Sequence, residues 1–322
     1  AYSNDRGRTW KKYEKNPIIK HIKKSNRDPK VIWHEPSNQW AMALYLDDRE
    51  MAFFTSKDLK SWQYHSKIKC FHECPELFEL PLDGKKQGQR WILYGGSGDY
   101  LIGHFDGKEF KTEAGPIKFH YGNCFYASQT FNNIPEADGR RLQIAWGRVN
   151  MPDMPFNQMM LFPVSLTLRT TEEGPRLFVN PVREIESLHQ QKRKWQNEKV
   201  NPGENPLANL TGELFHIRAK LQVDQCSECG FMIRDIPVVY NVQKQELSCQ
   251  GKTVSLKPVN GKISLEFLVD RTSIEIFGNQ GRRYMPIGVH LVDKPKSLGI
   301  FAKAGSLKIG DLEVFELKSA WR

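Results

Sequence analysis

Short apolar and aromatic runs, each broken within a few positions by glycine, proline, asparagine or aspartate, fill the first half of the chain. Val31–Trp33, Trp40–Tyr45, Met51–Phe54, Arg90–Tyr94 and Leu142–Trp146 are of this kind. Their length, β-branched and aromatic content and flanking turn residues predict strands, and no long amphipathic helical pattern competes with them. Further along, Phe215–Val223 alternates apolar and polar residues over its whole length, and Ile263–Phe267 and Ser273–Phe277 repeat the alternation before the turn Gly278-Asn279-Gln280-Gly281. Such alternation marks an antiparallel sheet with one wet face. With a closing hairpin expected over Leu307–Leu317, the second half predicts a β-sandwich.

The first half also repeats. Ser3-Asn4-Asp5-Arg6-Gly7-Arg8-Thr9-Trp10 resembles an Asp-box turn, Ser56-Lys57-Asp58-Leu59-Lys60-Ser61-Trp62 repeats its serine, aspartate and tryptophan, and Gly103–Phe110 is a looser copy around Asp106 with phenylalanine for tryptophan. An interval of roughly fifty residues suits a four-stranded propeller blade. Asp5 and Asp58 are assigned to turns, where short polar side chains bond their own backbone and the aromatic fills the space between strands. Between the halves, Pro181, Pro202 and Pro206 bracket a charged stretch, with one short helix expected over Glu184–Gln191. The expected division is a propeller over 1–182, a linker over 183–210 and a sandwich over 211–322.

Composition narrows the function. With 322 residues, 39% of them hydrophobic, the chain can bury a sizeable core in each of two domains, and it contains no apolar run of the length a membrane span requires. The formal charge of +10 raises the question of nucleic acid, but the basic residues are scattered, and the densest group, Gln191-Lys192-Arg193-Lys194-Trp195, reads as a solvated face. Cys226 and Cys229 form a lone Cys-x-x-Cys. Without a second pair or spaced histidines it is not read as a zinc site.

Hydrolysis of a glycosidic bond usually needs two carboxyl groups, and a propeller can bring such groups together from the innermost strands of different blades. Four motifs occur in order: Asn26-Arg27-Asp28-Pro29; Glu73-Cys74-Pro75-Glu76-Leu77-Phe78; Phe125-Tyr126-Ala127-Ser128-Gln129-Thr130-Phe131; and Ala145-Trp146-Gly147-Arg148. Together with Val269-Asp270-Arg271-Thr272-Ser273-Ile274-Glu275-Ile276-Phe277 in the second half, this order resembles glycoside hydrolase family 32, the invertases, inulinases and levanases, over nearly the whole chain.

The resemblance implies an all-β chain, a five-bladed β-propeller followed by a β-sandwich. It also implies a retaining site acting on fructan or sucrose-type carbohydrate, no metal or organic cofactor, and an extracellular or periplasmic setting. Glu73 would be the general acid and base, and Asp28 would stabilise the transition state by gripping fructose hydroxyls. Arg27 would help keep that carboxylate ionised, and Cys74, Tyr126, Gln129 and Trp146 would line the fructose pocket. Glu76 and Glu79 compete with Glu73 on residue type, and alternation would set Glu73 and Glu79 on one strand face; only the family position selects Glu73. The Trp-Met-Asn-Asp-Pro-Asn-Gly type motif that carries the family's nucleophilic aspartate has no counterpart in residues 1–322. The expectation is that about a blade and a half of propeller is missing before Ala1. The other readings are an inactive truncated relative that binds carbohydrate and a different propeller glycosidase.

Overall fold

A computed structural model describes the chain except for residues 24–25, 86, 153–154 and 322. It forms two compact units, Ala1–Glu79 with Arg90–Ile117, and Leu80–Gln89 with Lys118–Arg322. The first holds two antiparallel sheets, each in simple meander order: β1 (Arg27–His34), β2 (Gln39–Asp47), β3 (Glu50–Ser56) and β4 (Gln63–Lys69), then β5 (Glu76–Pro81), β6 (Gln89–Tyr94), β7 (Tyr100–Phe105) and β8 (Phe110–Ile117). Four-stranded meanders repeated along the chain are propeller blades. Ala41, Ala43, Tyr45, Met51 and Phe53 of the first blade pack with Phe71, Leu77, Leu93, Leu101 and Phe105 in one apolar cluster. The alternation of β2 and β3 thus points one set of side chains at the neighbouring blade.

The repeated turns tie themselves as expected. Asp5 accepts from the Thr9 backbone at 2.9 Å and Asp58 from the Ser61 backbone at 2.7 Å. These bonds hold both carboxyls down at about 2, below the usual carboxylate range. Asp106 accepts from the Lys108 and Glu109 backbones in the third copy. Trp10 differs from expectation. It is 66% exposed and donates its indole N–H to the Gly7 carbonyl, so it caps its own turn and fills no inter-strand space.

The second unit begins with a third blade, β9 (Phe125–Thr130), β10 (Arg141–Gly147), β11 (Met159–Met160), β12 (Val164–Thr171) and β13 (Gly174–Pro181). In it β10 pairs with β9 along one edge and with β11 and β12 along the other. The sandwich follows with β14 (His189–Val200), β15 (Phe215–Gln222), β16 (Glu228–Ile233), β17 (Ile236–Asn241), β18 (Glu246–Cys249), β19 (Lys252–Ser255), β20 (Lys262–Val269), β21 (Ser273–Gly278), β22 (Arg283–Gly288), β23 (Leu298–Lys303) and β24 (Leu307–Leu317). Its sheets run β14-β24-β15-β20-β21-β22 and β19-β18-β17-β16-β23. Their inner faces meet in a core where Phe231 and Phe267 pack edge to face at 4.9 Å. The chain is all-β, propeller blades followed by a β-sandwich.

Three local expectations change. The stretch 183–210 is more than a linker. After a 3-10 turn over Arg183–Leu188, shorter than the helix expected over Glu184–Gln191, β14 joins the six-stranded sheet as its edge. Its basic residues meet acids on β24, Lys192 on Glu313 at 2.6 Å and Lys194 on Asp311 at 3.4 Å. Leu307–Leu317 is a single strand, not a hairpin, because Gly310 absorbs a register shift against β15.

Within this unit the third blade is sewn to the sandwich by backbone bonds, Tyr121 to the Tyr284 carbonyl, Asn123 to that of Pro286 and Val179 to that of Gly281. Gly281 is required there, since it sits at φ +85° and a Cβ would lie 1.9 Å from the Val179 carbonyl oxygen. Glu275 on β21 is fully buried at the same junction, accepting from the Phe162 backbone N–H at 2.8 Å and from the Tyr284 hydroxyl. Desolvation pushes its carboxyl up to about 7.

Candidate active site

The site in the first unit is built from the first residues of β1 and the loop that leads into β5. Arg27 lies opposite Tyr45 on β2, but Lys30 lies opposite Ala43, so Asp28 and Pro29 together face one residue in a bulge. Pro29 has no N–H to lose from the ladder, and Asp28 takes up the left-handed conformation at φ 57°. Tyr45 and Ala43 share one face of β2, so the bulge puts Arg27 and Lys30 on one face although they are three positions apart.

The second segment is bent harder. Glu73 and Cys74 are consecutive left-handed residues, at φ 35° and 47°, a conformation unfavourable for side chains with a Cβ and typical of functional sites. The β6–β7 turn holds them there. The Gly96 N–H donates to the carbonyls of His72 at 3.2 Å and Glu73 at 3.0 Å. Gly95 packs so closely under Phe71 that a Cβ would stand 2.3 Å from that side chain.

These two segments lie side by side in matching register. Arg27 reaches Glu73, Asp28 reaches Cys74, and Lys30 reaches Glu76, each pair forty-six positions apart. Equivalent strands of adjacent blades are related by rotation about the propeller axis and run in the same direction, so the constant offset is the blade repeat expressed in side chains.

Arg27 donates through Nη2 to Glu73 Oε2 at 2.6 Å and through Nε at 3.1 Å, and its Nε is 3.6 Å from Asp28 Oδ2. One guanidinium therefore serves both carboxylates, with its hydrogen bonds directed at Glu73, and the Glu73 bond raises the pKa of Arg27. The same guanidinium lies over the Tyr45 ring, 4.7 Å from its centre. Asp28 Oδ2 accepts from the Cys74 backbone N–H at 3.2 Å, with the Cys74 sulfur at 3.6 Å. Burial, reinforced by the Asp28 and Glu73 charges, pushes the Cys74 thiol up to about 12, so it remains a thiol and faces Asp28 as a donor.

The structure thus brings four predicted residues together: Arg27, Asp28, Glu73 and Cys74. It also separates the competing acids. Glu76 begins β5 fully buried, its Oε1 2.8 Å from the buried Lys30 ammonium, while Glu73 sits before the strand in its left-handed turn. Alternation along the strand consequently does not extend back to Glu73. Lys30, Tyr45 and His72 are contributions that the motifs did not single out. The buried Tyr45 hydroxyl is 2.9 Å from His72 Nδ1, and His72 Nε2 is 3.7 Å from Glu73 Oε2. The signal for Lys30 was the fixed interval between the two segments, which has no meaning until the blades are known; Tyr45 and His72, twenty-seven positions apart, left none.

The remaining predicted residues belong to the third blade, in the second unit. Tyr126 pairs with Trp146 and Gln129 with Ile144. Ala127, left-handed at φ 44°, absorbs the extra residue between them. The bulge turns Tyr126 and Gln129 to the same face as Trp146. There the Tyr126 and Trp146 rings meet at 6.1 Å, and the Arg148 guanidinium covers Tyr126 at 4.3 Å. Trp146 is 40% exposed. Among the described residues no cluster of three or more His, Cys, Asp or Glu is placed to hold a metal ion, and no helix is long and apolar enough to cross a membrane.

Residues 1–181 match the Glycosyl hydrolases family 32 N-terminal domain, and residues 184–316 match the Glycosyl hydrolases family 32 C-terminal domain. The whole chain aligns with a levanase of Bacillus subtilis at 36% identity, covering 55% of that protein, and with a levanase of Bacillus sp. at 30% identity, covering 41%. It therefore spans about half the length of the curated relatives it matches. Among solved structures, 99% of the chain superposes on 74% of an exo-inulinase from Aspergillus awamori, with a TM-score of 0.85 at 23% identity. A β-fructofuranosidase from Schwanniomyces occidentalis, complexed with fructosyl-erythritol, matches 98% of the chain over 75% of its own length, with a TM-score of 0.86 at 23% identity. At these identities the structural likeness speaks to the fold.

Proposed function

The chain belongs to glycosyl hydrolase family 32, and on that premise we propose that it carries the acid/base and transition-state-stabilising groups of a retaining β-D-fructofuranosidase. The substrate class is levan, inulin or sucrose. The observation that carries the reading is the pairing of Glu73 and Asp28 around one guanidinium, at the matched ends of two neighbouring blade segments.

Glu73, protonated, gives its proton to the glycosidic oxygen as the bond from fructose breaks. A carboxylate attacks the anomeric carbon in the same step, and Glu73 then takes a proton from the water that releases fructose. The attacking carboxylate is not assigned among residues 1–322. Asp28 accepts hydrogen bonds from fructose hydroxyls, which strengthen as positive charge develops on the sugar. The Cys74 amide and thiol aim Asp28 at those hydroxyls. Arg27 spans the two carboxylates, hydrogen-bonded to Glu73 and 3.6 Å from Asp28, and so fixes their spacing. On the third blade, Tyr126 and Trp146 offer aromatic surface and Gln129 an amide to a sugar. We divide the chain into blades over 1–182 and a sandwich whose first strand lies within 183–210.

The test is fructose release from levan, inulin and sucrose by the full-length protein. Glu73→Gln is expected to lower kcat by about 10²–10⁴-fold, and Asp28→Asn to lower kcat more than it raises KM. Wild-type protein that releases fructose from none of the three, or a Glu73→Gln variant with near wild-type turnover, overturns the proposal. Calorimetric affinity for fructose oligomers without any release would instead mark the chain as a carbohydrate-binding relative.

A further inference from the structure

We infer that His72 is a specificity residue that hydrogen-bonds the leaving group, the sugar attached to the fructose that is cleaved. The inference rests on the glycosidase reading and deepens it.

Three observations lead there. First, the ring is tethered at one nitrogen and open at the other. Nδ1 is bonded to the hydroxyl of the buried Tyr45 at 2.9 Å, and the two rings meet edge to face at 5.4 Å, while His72 itself is 53% exposed. Second, the open nitrogen is beside the reacting group. Nε2 lies 3.7 Å from Glu73 Oε2, too far for a hydrogen bond between them but close enough for one sugar hydroxyl or ring oxygen to reach both. Third, the two chain neighbours of Glu73 face different partners. Cys74 binds Asp28, the carboxylate proposed to hold fructose, whereas His72 leans on Tyr45. The carbonyl of His72 is also pinned by the Gly96 N–H, so its backbone is as fixed as that of Glu73.

A tethered imidazole suits this task. If Tyr45 donates to Nδ1, Nε2 carries the proton and can donate to a sugar oxygen; with the roles reversed, Nε2 accepts from a sugar hydroxyl. A polar group held in place beforehand recognises a hydroxyl without losing rotamer freedom on binding. Methanol as a leaving group offers no second sugar for it to recognise, whereas an oligosaccharide does.

The experiment compares methyl β-D-fructofuranoside with a fructo-oligosaccharide as substrates of the full-length protein, wild type against His72→Phe. The phenyl ring keeps the packing on Tyr45 and removes both nitrogens. The expected result is a loss of about tenfold in kcat/KM for the oligosaccharide, chiefly in KM, and no more than about twofold for the methyl fructoside. Tyr45→Phe, which frees the ring, is expected to give a smaller loss with the same selectivity, and His72→Gln to recover part of it. Equal losses on both substrates, or none on either, overturn the inference. If wild type cleaves neither substrate the glycosidase reading fails separately, and calorimetry then decides. His72→Phe must weaken oligosaccharide binding more than fructose binding, or His72 has no role in recognition.

Discussion

Replacing Lys30 by methionine, or Glu76 by leucine, removes one partner of an ion pair whose members are 5% and 0% exposed and 2.8 Å apart. At an effective dielectric constant of about 20, Coulomb's law gives an attraction of roughly 6 kcal/mol at that separation. Desolvation of two charges costs several kcal/mol for each, so the pair contributes little net stability. Losing a single partner is another matter, because breaking a buried ion pair from one side costs about 3–5 kcal/mol. Each single variant is therefore expected to lose about that much in denaturant unfolding, and the double variant Lys30→Met with Glu76→Leu to return to within about 2 kcal/mol of wild type. The assay is a double-mutant cycle of unfolding free energies, with urea slopes compared to verify that the same surface is exposed in each variant. Singles that lose less than about 1 kcal/mol, or a double equal to their sum, would refute the claim that these charges depend on one another. Because the pair joins the segments that carry Asp28 and Glu73, the single variants should also lose the fructoside turnover proposed for the chain, and the double should regain it.

Two further outcomes are expected. The raised pKa of Glu275, about 7 when folded against 4.5 unperturbed, means that the folded state holds a proton that the unfolded chain releases between those values. Stability linked to this group is full below about pH 4.5 and falls as pH rises through 7, by roughly 3 kcal/mol in all. Glu275→Gln keeps an acceptor for Phe162 and should abolish that slope; unfolding at pH 5 and pH 8 with the same wild-type-to-variant difference would disprove it. Gly95→Ala forces Phe71 away from a Cβ that would stand 2.3 Å from it. It should lower kcat through displacement of Glu73 while the fold persists by circular dichroism, and unchanged kinetics would show that the turn does not hold the loop.

Much of the fold was readable because burial leaves a period-two trace. β15, predicted over Phe215–Val223, ends within a residue of its expected limit. β14 left no such trace. As the sheet's edge strand nearly all its residues are exposed on both faces, so its lysines looked like a linker, and lysine-rich edges are how natural sheets discourage unwanted pairing. The hairpin expected over Leu307–Leu317 became one strand with a bulge at Gly310, because a glycine in a strand pattern is ambiguous between turn and bulge. At the candidate site the motifs located Arg27, Asp28, Glu73 and Cys74, but nothing local distinguished Glu73 from Glu76. That distinction lies in two left-handed residues and a lysine forty-six positions upstream, both properties of the assembled blades. Tyr126 and Gln129 likewise sit at an odd spacing that alternation would split between faces, and only the bulge at Ala127 reunites them.

The strand order of the sandwich bears on how the protein is made. β24 is inserted between β14 and β15, so the six-stranded sheet has a gap until residues 307–317 have left the ribosome. The edge strand, synthesised more than a hundred residues earlier, must wait unpaired, and its lysines keep it soluble meanwhile. A ribosome that stops short of Leu307 releases a chain whose sheet cannot close, a ready target for chaperones and proteases.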